Sequence, residues 1–450
     1  MLIFFEKYYK NRGERSKIAL KNIFLGFGIK GLSIIVNLLM VPIMLNLLGS
    51  ELFGIWLTLF SIITWFNFFD LGFGHGLRNR LGNTFANDLI IDSKELISTS
   101  YFILIIISIV LFLVSLIIIP FLNWQIILNT KNVSNHLLSL IVIFISASFS
   151  FNLVLKLITS ILLADQRTAL TDGIIQSASL ISLILLIVLP FFTKVSFTIL
   201  AVILCFSPLL INLIATLYFF FISKYKVFKP SIKYIRINKA NLIFKLGSKF
   251  FINQLSSVIL FSSINFIIAQ VSTPIEVTKY NIVMRYFSIP LLIYGVILNP
   301  LWSAVTDASV KSDFNWIKKT LNGVNKIAIG FSIFTIFMLL FSNIVYKIWL
   351  NNELNIPLGI SIIVTFSTIL KILGSSFSTF INGFGKLKLG VYLVLLKDII
   401  FLPMAFYLGN IWGVIGVIIA MILGQIISLI FEPIQIYKLI NRKAFGIWSK

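Results

Sequence analysis

The chain has 450 residues, of which 58% are hydrophobic and 12% charged, with a mean hydropathy of +1.02. A typical soluble domain has about 25% charged residues, so this balance excludes an ordinary soluble protein. The formal net charge of +22 would suggest nucleic acid in a soluble chain, but here the cations lie between long apolar segments, so we expect no nucleic-acid partner.

Apolar segments long enough to cross a bilayer recur along the chain. A hydrocarbon core of roughly 30 Å needs about 20 residues of helix. We predict spans at residues 22–48, 52–70, 98–122, 137–163, 171–192, 197–222, 249–271, 280–303, 324–350, 357–381, 388–409 and 411–437. The runs are continuous and not alternating, which indicates helices. The predicted fold class is an all-α polytopic membrane protein with about twelve transmembrane helices.

Lysine and arginine concentrate in every second gap between these spans. Of the 37 lysines and arginines, 25 lie at the termini or in the even-numbered gaps, two more (Lys249 and Lys388) are the first residues of spans that border such gaps, and seven lie further inside spans. Only Lys131, Lys194 and Lys279 lie in the odd-numbered gaps. Because cytoplasmic loops hold the excess of Lys and Arg, this asymmetry predicts a multi-pass protein of the bacterial inner membrane with both termini in the cytoplasm.

The longest basic stretch, residues 223–248, divides the spans into two sets of six. We therefore predict an N-lobe over residues 1–222, a basic cytoplasmic linker over 223–248 and a C-lobe over 249–450. Two interpretations of the basic linker stay open, a loop that rests on anionic lipid and a binding site for a partner.

Five cations lie deep within the predicted spans. They are Lys30, Lys156, Arg285, Lys371 and Lys397. A charge at the centre of an isolated helix costs roughly 2.5–3.5 kcal/mol, so such residues normally face water or a partner. A cavity lined by these five cations would attract an anion, and we predict that they bind substrate. Lys326 and Lys347 lie near helix ends, where a long side chain reaches the interface.

Acidic residues are few within the membrane. Asp398 and Glu432 lie inside predicted spans and Asp70 lies at the end of another, which makes these three the candidates for ion coupling. For Asp398 a structural ion pair is an equally good interpretation. No His, Cys, Asp or Glu cluster has metal-ligand spacing, so we expect no metal and no cofactor.

A glycine-rich motif follows the second span. It reads Asp70-Leu71-Gly72-Phe73-Gly74-His75-Gly76-Leu77-Arg78-Asn79-Arg80-Leu81. No strand precedes these glycines, so a phosphate-binding cradle is excluded, and a gating hinge with tight helix contact is favoured. Arg78 and Arg80 either follow the positive-inside rule or bind a headgroup.

This motif resembles the loop after the second helix in O-antigen and polysaccharide flippases (Wzx type) of the multidrug/oligosaccharidyl-lipid/polysaccharide exporter superfamily. The segment Leu48-Gly49-Ser50-Glu51-Leu52-Phe53-Gly54-Ile55-Trp56 and the run Asn299-Pro300-Leu301-Trp302 with Asp307 also resemble the family. The resemblance implies two six-helix lobes around a central cationic cavity. It also implies a flippase that moves an undecaprenyl-pyrophosphate-linked oligosaccharide, such as an O-antigen repeat unit, to the outer leaflet by alternating access.

The resemblance implies membrane lipids, a polysaccharide polymerase and chain-length machinery as partners, and no enzymatic activity. Two other functions stay open. A drug antiporter of the same superfamily would need acidic sites in the first lobe. A membrane-embedded polysaccharide polymerase would need catalytic groups on an outer loop, and the longest one, near residues 121–136, offers only Lys131 and His136.

Overall fold

A computed structural model of the chain describes residues 14–63, 73–165, 167–244 and 263–449. Within these ranges the chain is mainly helical, and no strand occurs. Ten of the described helices are long and apolar enough to cross a membrane. The predicted all-α polytopic class is therefore confirmed.

We number the helices in chain order. They are α1 (Glu14–Ile63), α2 (Phe73–Ala86), α3 (Ile90–Ile118), α4 (Trp124–Ile127), α5 (Asn135–Leu155), α6 (Leu157–Ala164), α7 (Thr168–Val188), α8 (Phe197–Leu217), α9 (237–244), α10 (263–271), α11 (Pro274–Val310), α12 (Phe314–Trp349), α13 (Leu358–Phe384), α14 (Lys388–Trp412) and α15 (Val414–Ile440).

Helix α1 contains the first predicted span and the described part of the second, residues 52–63. Gly49 breaks it with φ 73° and ψ 169°, a backbone conformation that glycine adopts without a steric penalty from Cβ. Helix α10 is the described part of the seventh predicted span. With these two segments, the ten candidate spans agree with about twelve helices.

Two helices are longer than the sequence predicted. Helices α11 and α12 have 37 and 36 residues, and α12 begins at Phe314 where the predicted span began at residue 324. The Asp313 carboxylate accepts a hydrogen bond from the Trp316 N–H at 3.0 Å and caps α12. The sequence pattern placed the start ten residues later because apolar character marks only the part of a helix that lies inside the bilayer, whereas the helix itself begins at its cap.

The chain folds into two compact units. The first contains the described parts of Met1–Ile43, Ile63–Asn123 and Ser134–Ile252, and the second contains Met44–Ile62, Trp124–Val133 and the described part of Asn253–Lys450. The second unit thus includes two segments that precede the basic linker in sequence. The predicted lobes, residues 1–222 and 249–450, stay a prediction.

Close packing explains why Met44–Ile62 joins the second unit. A Cβ on Gly54 would lie 1.7 Å from the carbonyl oxygen of Pro274, so only glycine fits where α1 meets the start of α11. The Thr278 hydroxyl donates to the Ser50 carbonyl at 2.7 Å beside this contact. Trp56 is buried in the same region.

Side-chain amides attach Trp124–Val133 to the same unit. Asn129 donates to the carbonyls of Ala269 at 3.0 Å and Ser272 at 2.9 Å. Gln270 donates to the Ile127 carbonyl at 2.7 Å in the opposite direction. These bonds satisfy backbone groups that a helix end would otherwise leave unpaired.

In the first unit, part of the glycine-rich motif is a helix and not the loop that the sequence suggested. Helix α2 begins at Phe73 and packs against α3 and α6. Leu77, Leu81, Ile97 and Ile161 form part of its buried core. Glycine disfavours helix in isolation, but burial of this apolar face outweighs that preference.

The basic linker is bound to the first unit through its residues 223–244. Its backbone N–H groups at Ser231 and Arg236 donate to the hydroxyls of Ser98 at 3.1 Å and Thr99 at 2.9 Å. Its helix α9 also contacts α2, where a Cβ on Gly76 would lie 2.4 Å from the Ile243 carbonyl oxygen. Residues 223–244 of the linker are therefore part of this unit.

Candidate functional site

A polar face runs along α15 inside the second unit. Gln425, Ser428 and Glu432 are spaced three and four residues apart and share one side of the helix. Helix α13, which packs against α15, carries Ser367 and Ser378 on one face as well. Gln425 Nε2 donates to Ser367 Oγ at 2.9 Å, so the two faces meet through their polar groups.

Glu432 accepts hydrogen bonds from two serines. Ser378 Oγ on α13 donates to Glu432 Oε2 at 2.7 Å. Ser428, one turn earlier on α15, also bonds the Glu432 carboxylate. Both bonds reduce the cost of a half-buried carboxylate in an apolar environment.

Lys397 on α14 joins the same network. Its Nζ donates to Ser428 Oγ at 2.7 Å, so Ser428 connects the ammonium to the Glu432 carboxylate. The aliphatic stem of Lys397 lies beside Gly424, where a Cβ would be 3.5 Å from Lys397 Cγ. The resulting network of Lys397, Ser428, Glu432 and Ser378 spans three helices, and we refer to it as the α13–α15 network.

The other predicted ion-coupling residues lie in different surroundings. Asp398 follows Lys397 on α14 and is buried, and its charge acts on that of Lys397. Asp70 lies outside the described residues. Glu432 is the predicted ion-coupling carboxylate that bonds Ser378 in this network.

The predicted substrate-binding cations are distributed over both units. Arg285 on α11 and Lys371 on α13 are half-buried in the second unit, as is Lys397. In the first unit Lys30 is exposed on α1, and half-buried Lys156 lies at the joint between α5 and α6. The grouping of all five around one cavity stays a prediction.

The predicted gating residues that the structure describes belong to α2. Gly74 and Gly76 lie in its first described turn, and Gly76 makes the close approach to α9. Arg78 is exposed and Arg80 half-buried, while Gly72 lies outside the described residues.

Sequence reasoning missed the two serines of the network, Ser378 and Ser428, and the neighbouring pair of Gln425 and Ser367. Their signal was present as polar residues at helical spacing within apolar helices, at positions 425, 428 and 432 of α15 and 367 and 378 of α13. Among the described residues no group of three His, Cys, Asp or Glu could hold a metal ion. The network is built from hydroxyl, ammonium and carboxylate groups.

Known proteins were compared with the whole chain. No protein-family model matches it. Over 374 residues it is 24% identical to a protein of Yersinia pseudotuberculosis with the provisional name O-antigen export protein, which covers 80% of this chain and 82% of that protein.

Solved structures share its fold. An inward-facing multidrug resistance MATE family transporter of the MOP superfamily matches with a TM-score of 0.76 and 15% identity, over 91% of this chain and 96% of that one. The chain has the MATE fold. A second MATE multidrug transporter gives a TM-score of 0.68 and 15% identity, over 96% of this chain and 97% of that one.

The MATE fold and the Yersinia relative together confirm the resemblance that the sequence motifs indicated. The MATE fold and the ten membrane-length helices agree with a multi-pass membrane protein. Because the structural matches have low sequence identity, the MATE fold leaves the transported molecule open. The sign of the charges within the membrane helices is the remaining evidence on the class of substrate.

Proposed function

We propose that the chain is a flippase that moves a lipid-linked oligosaccharide with an anionic pyrophosphate, such as an O-antigen repeat unit, from the cytoplasmic to the outer leaflet of a bacterial inner membrane. The provisional name of the Yersinia relative supports export of this kind of molecule. The observation that carries the proposal is the sign of the charges inside the membrane helices.

Arg285, Lys371 and Lys397 are half-buried on membrane helices of the second unit. Each such charge costs roughly 2.5–3.5 kcal/mol in an isolated helix, which argues for a compensating role. Ammonium and guanidinium groups donate strong hydrogen bonds to phosphate oxygens, and arginine does so with two donors at once. A pyrophosphate link is therefore a fitting ligand.

Within the α13–α15 network, Glu432 serves as a resident counter-charge for Lys397. A pyrophosphate that reaches Lys397 would compete with Ser428 and Glu432 for the ammonium. Release of the pyrophosphate would restore the hydrogen bond from Lys397 to Ser428. This exchange would let Lys397 bind substrate without holding it permanently, as transport requires.

The proposal is tested by export of lipid-linked repeat units in cells that lack the native protein. We expect Arg285→Ala and Lys371→Ala to reduce export at equal protein level. Lys347→Ala is the matched control, because Lys347 is an exposed lysine near the end of a membrane helix. Normal export by both Arg285→Ala and Lys371→Ala would contradict the proposal.

A drug antiporter is the second candidate, since the solved structures of this fold are multidrug transporters. Glu432, in the second unit and not in the first lobe where such an antiporter is expected to carry its acidic sites, would then bind a cationic compound. Overexpression should in that case lower susceptibility to cationic dyes, and Glu432→Gln should abolish the effect. Under the flippase proposal overexpression leaves dye susceptibility unchanged.

We also propose that both termini face the cytoplasm, as the distribution of cations indicates. A green fluorescent protein fused after α15 should then be fluorescent, and alkaline phosphatase at the same position should be inactive. The opposite pair of results would reverse the orientation.

A further inference from the structure

The basic linker has two chemically different faces. Residues 223–239 contain six cations and no carboxylate. Three cations are paired with the first unit, through Lys224 to Asp165 at 2.9 Å, Arg236 to Glu95 at 3.4 Å, and Lys239 to Asp92 at 2.6 Å. The inner face of the linker is therefore neutralised by carboxylates.

The other three cations point away from these carboxylates. Lys226, Lys229 and Lys233 are exposed, and none of them forms an ion pair within the described part of the chain. Lys229 Nζ lies 3.9 Å from the centroid of the Phe221 ring. The outer face thus carries a surplus of three positive charges.

Two exposed apolar side chains lie among the cations of this stretch. Ile232 is 88% exposed and Ile237 is 74% exposed. Exposed isoleucines flanked by lysines are typical of a segment that lies in the membrane interface, where the apolar groups enter the acyl boundary and the ammonium groups meet phosphate.

The depth of the linker agrees with this placement. Helix α3 and the turn after it, Ile90–Phe121, have 32 residues, which correspond to about 48 Å of helix. Counting about 20 residues back from Phe121 places the inner edge of the hydrocarbon near Tyr101. Ser98 and Thr99, which hold the linker, come next along the helix, so the linker lies at the level of the headgroups.

We propose that the outer face of the basic linker binds the anionic cytoplasmic leaflet, with Ile232 and Ile237 inserted at the interface and Lys226, Lys229 and Lys233 on phospholipid phosphates. The charge surplus selects anionic over zwitterionic lipid. The ion pairs of the inner face connect the linker to the first unit, so the linker would hold this unit to the lipid surface. This site is independent of the transported molecule.

The full chain in lipid nanodiscs tests the proposal. Cys205 is the sole cysteine, so a Cys205→Ser background permits single labelling. Ile232→Cys carries an environment-sensitive fluorophore, and Ser312→Cys, exposed in the turn between α11 and α12, is the matched water-exposed control. The discs contain phosphatidylcholine alone or with phosphatidylglycerol, each with and without doxyl-labelled lipid.

We expect the label at position 232 to shift to the blue and to be quenched by doxyl lipid in discs with phosphatidylglycerol, while the label at position 312 does neither. Combined Lys226→Gln, Lys229→Gln and Lys233→Gln should reduce the quenching to its level in phosphatidylcholine. Equal behaviour of positions 232 and 312 in both lipids would overturn the proposal and leave an acidic protein surface as the occupant. If quenching at position 232 is the same with and without phosphatidylglycerol and is unchanged by the three lysine substitutions, the proposed selection of anionic lipid is wrong.

Discussion

A Cβ atom on Gly76 would lie 2.4 Å from the carbonyl oxygen of Ile243, which means that α2 and α9 touch backbone to backbone. The contact joins the glycine-rich motif to the basic linker inside the first unit. This close backbone contact explains on steric grounds why the third glycine of the motif, Gly76, has no side chain.

Gly76→Ala should destabilise the protein, because the methyl group can fit only if α2 and α9 move apart. Overpacking of this kind costs about 1–3 kcal/mol. Gly82→Ala on the same helix is the control, since its Cβ would meet no atom closer than 4.0 Å. Thermal unfolding in detergent should show a lower melting temperature for Gly76→Ala alone, and equal melting temperatures would contradict the contact.

Lys397 and Glu432 should be energetically coupled through Ser428. Lys397→Met or Glu432→Gln alone leaves one charge of the network without its counterpart, whereas the double variant removes both charges. We expect the double variant to lose less stability than the sum of the single losses, with a coupling of about 0.5–3 kcal/mol.

A double-mutant cycle on thermal or denaturant unfolding measures this coupling. The control cycle combines Lys347→Met with Glu432→Gln, because Lys347 lies exposed in the last turn of α12 and outside the network. That pair should be additive within about 0.5 kcal/mol. If the stability losses are additive in both cycles, Lys397 and Glu432 are not energetically coupled.

Asp165, at the C-terminal end of α6, should make stability depend on pH. Burial alone would raise the pKa of its carboxyl, but hydrogen bonds from Tyr225 and Lys224 and the charges of Lys224 and Arg167 outweigh burial and lower that pKa. A carboxyl whose pKa is lower in the folded state stabilises the fold above its unfolded pKa, near 3.9, and this contribution is lost as the pH falls through the folded value.

The melting temperature of wild type should therefore exceed that of Asp165→Asn at neutral pH, and the difference should shrink below about pH 4. Asp88→Asn, which changes an exposed carboxylate with positive φ, is the control and should leave the profile as in wild type. A difference that stays constant down to low pH would refute the role of the Asp165 charge.

Thr99→Val should loosen the basic linker. The Thr99 hydroxyl accepts from the Arg236 N–H at 2.9 Å, and valine keeps the shape without the acceptor. An N–H left without a partner costs about 1–3 kcal/mol where it is buried. We expect faster tryptic cleavage at Lys233, Arg236 and Lys239 than in wild type. Thr306→Val, which removes a hydroxyl bond in the second unit, should not change the rate of that cleavage.

The class of fold could be predicted from the sequence because bilayer thickness fixes the length of an apolar helix and loop charge fixes orientation. Pairing between helices could not be predicted in this way. Ser378, Lys397 and Glu432 are distant in sequence and meet only because α14 and α13 both pack on α15. The polar spacing on each helix shows which face is special but not which neighbour it contacts.

Local backbone events were also beyond the sequence pattern. Gly49 breaks α1 with a positive φ inside an apolar run, and α2 is helical despite its glycines. The predicted substrate cations were chosen by depth alone. Depth correctly identifies costly charges but does not reveal that Lys397 shares hydrogen bonds with Ser428.

The contact of Gly54 with Pro274 has a consequence for attempts to express the protein in halves. Met44–Ile62 and Trp124–Val133 are encoded before the linker but complete the second unit. A gene cut inside the linker would produce a C-terminal fragment that lacks two of its own pieces. Such fragments should regain a native fold only when both are synthesised together, so each half needs its complement as a folding template.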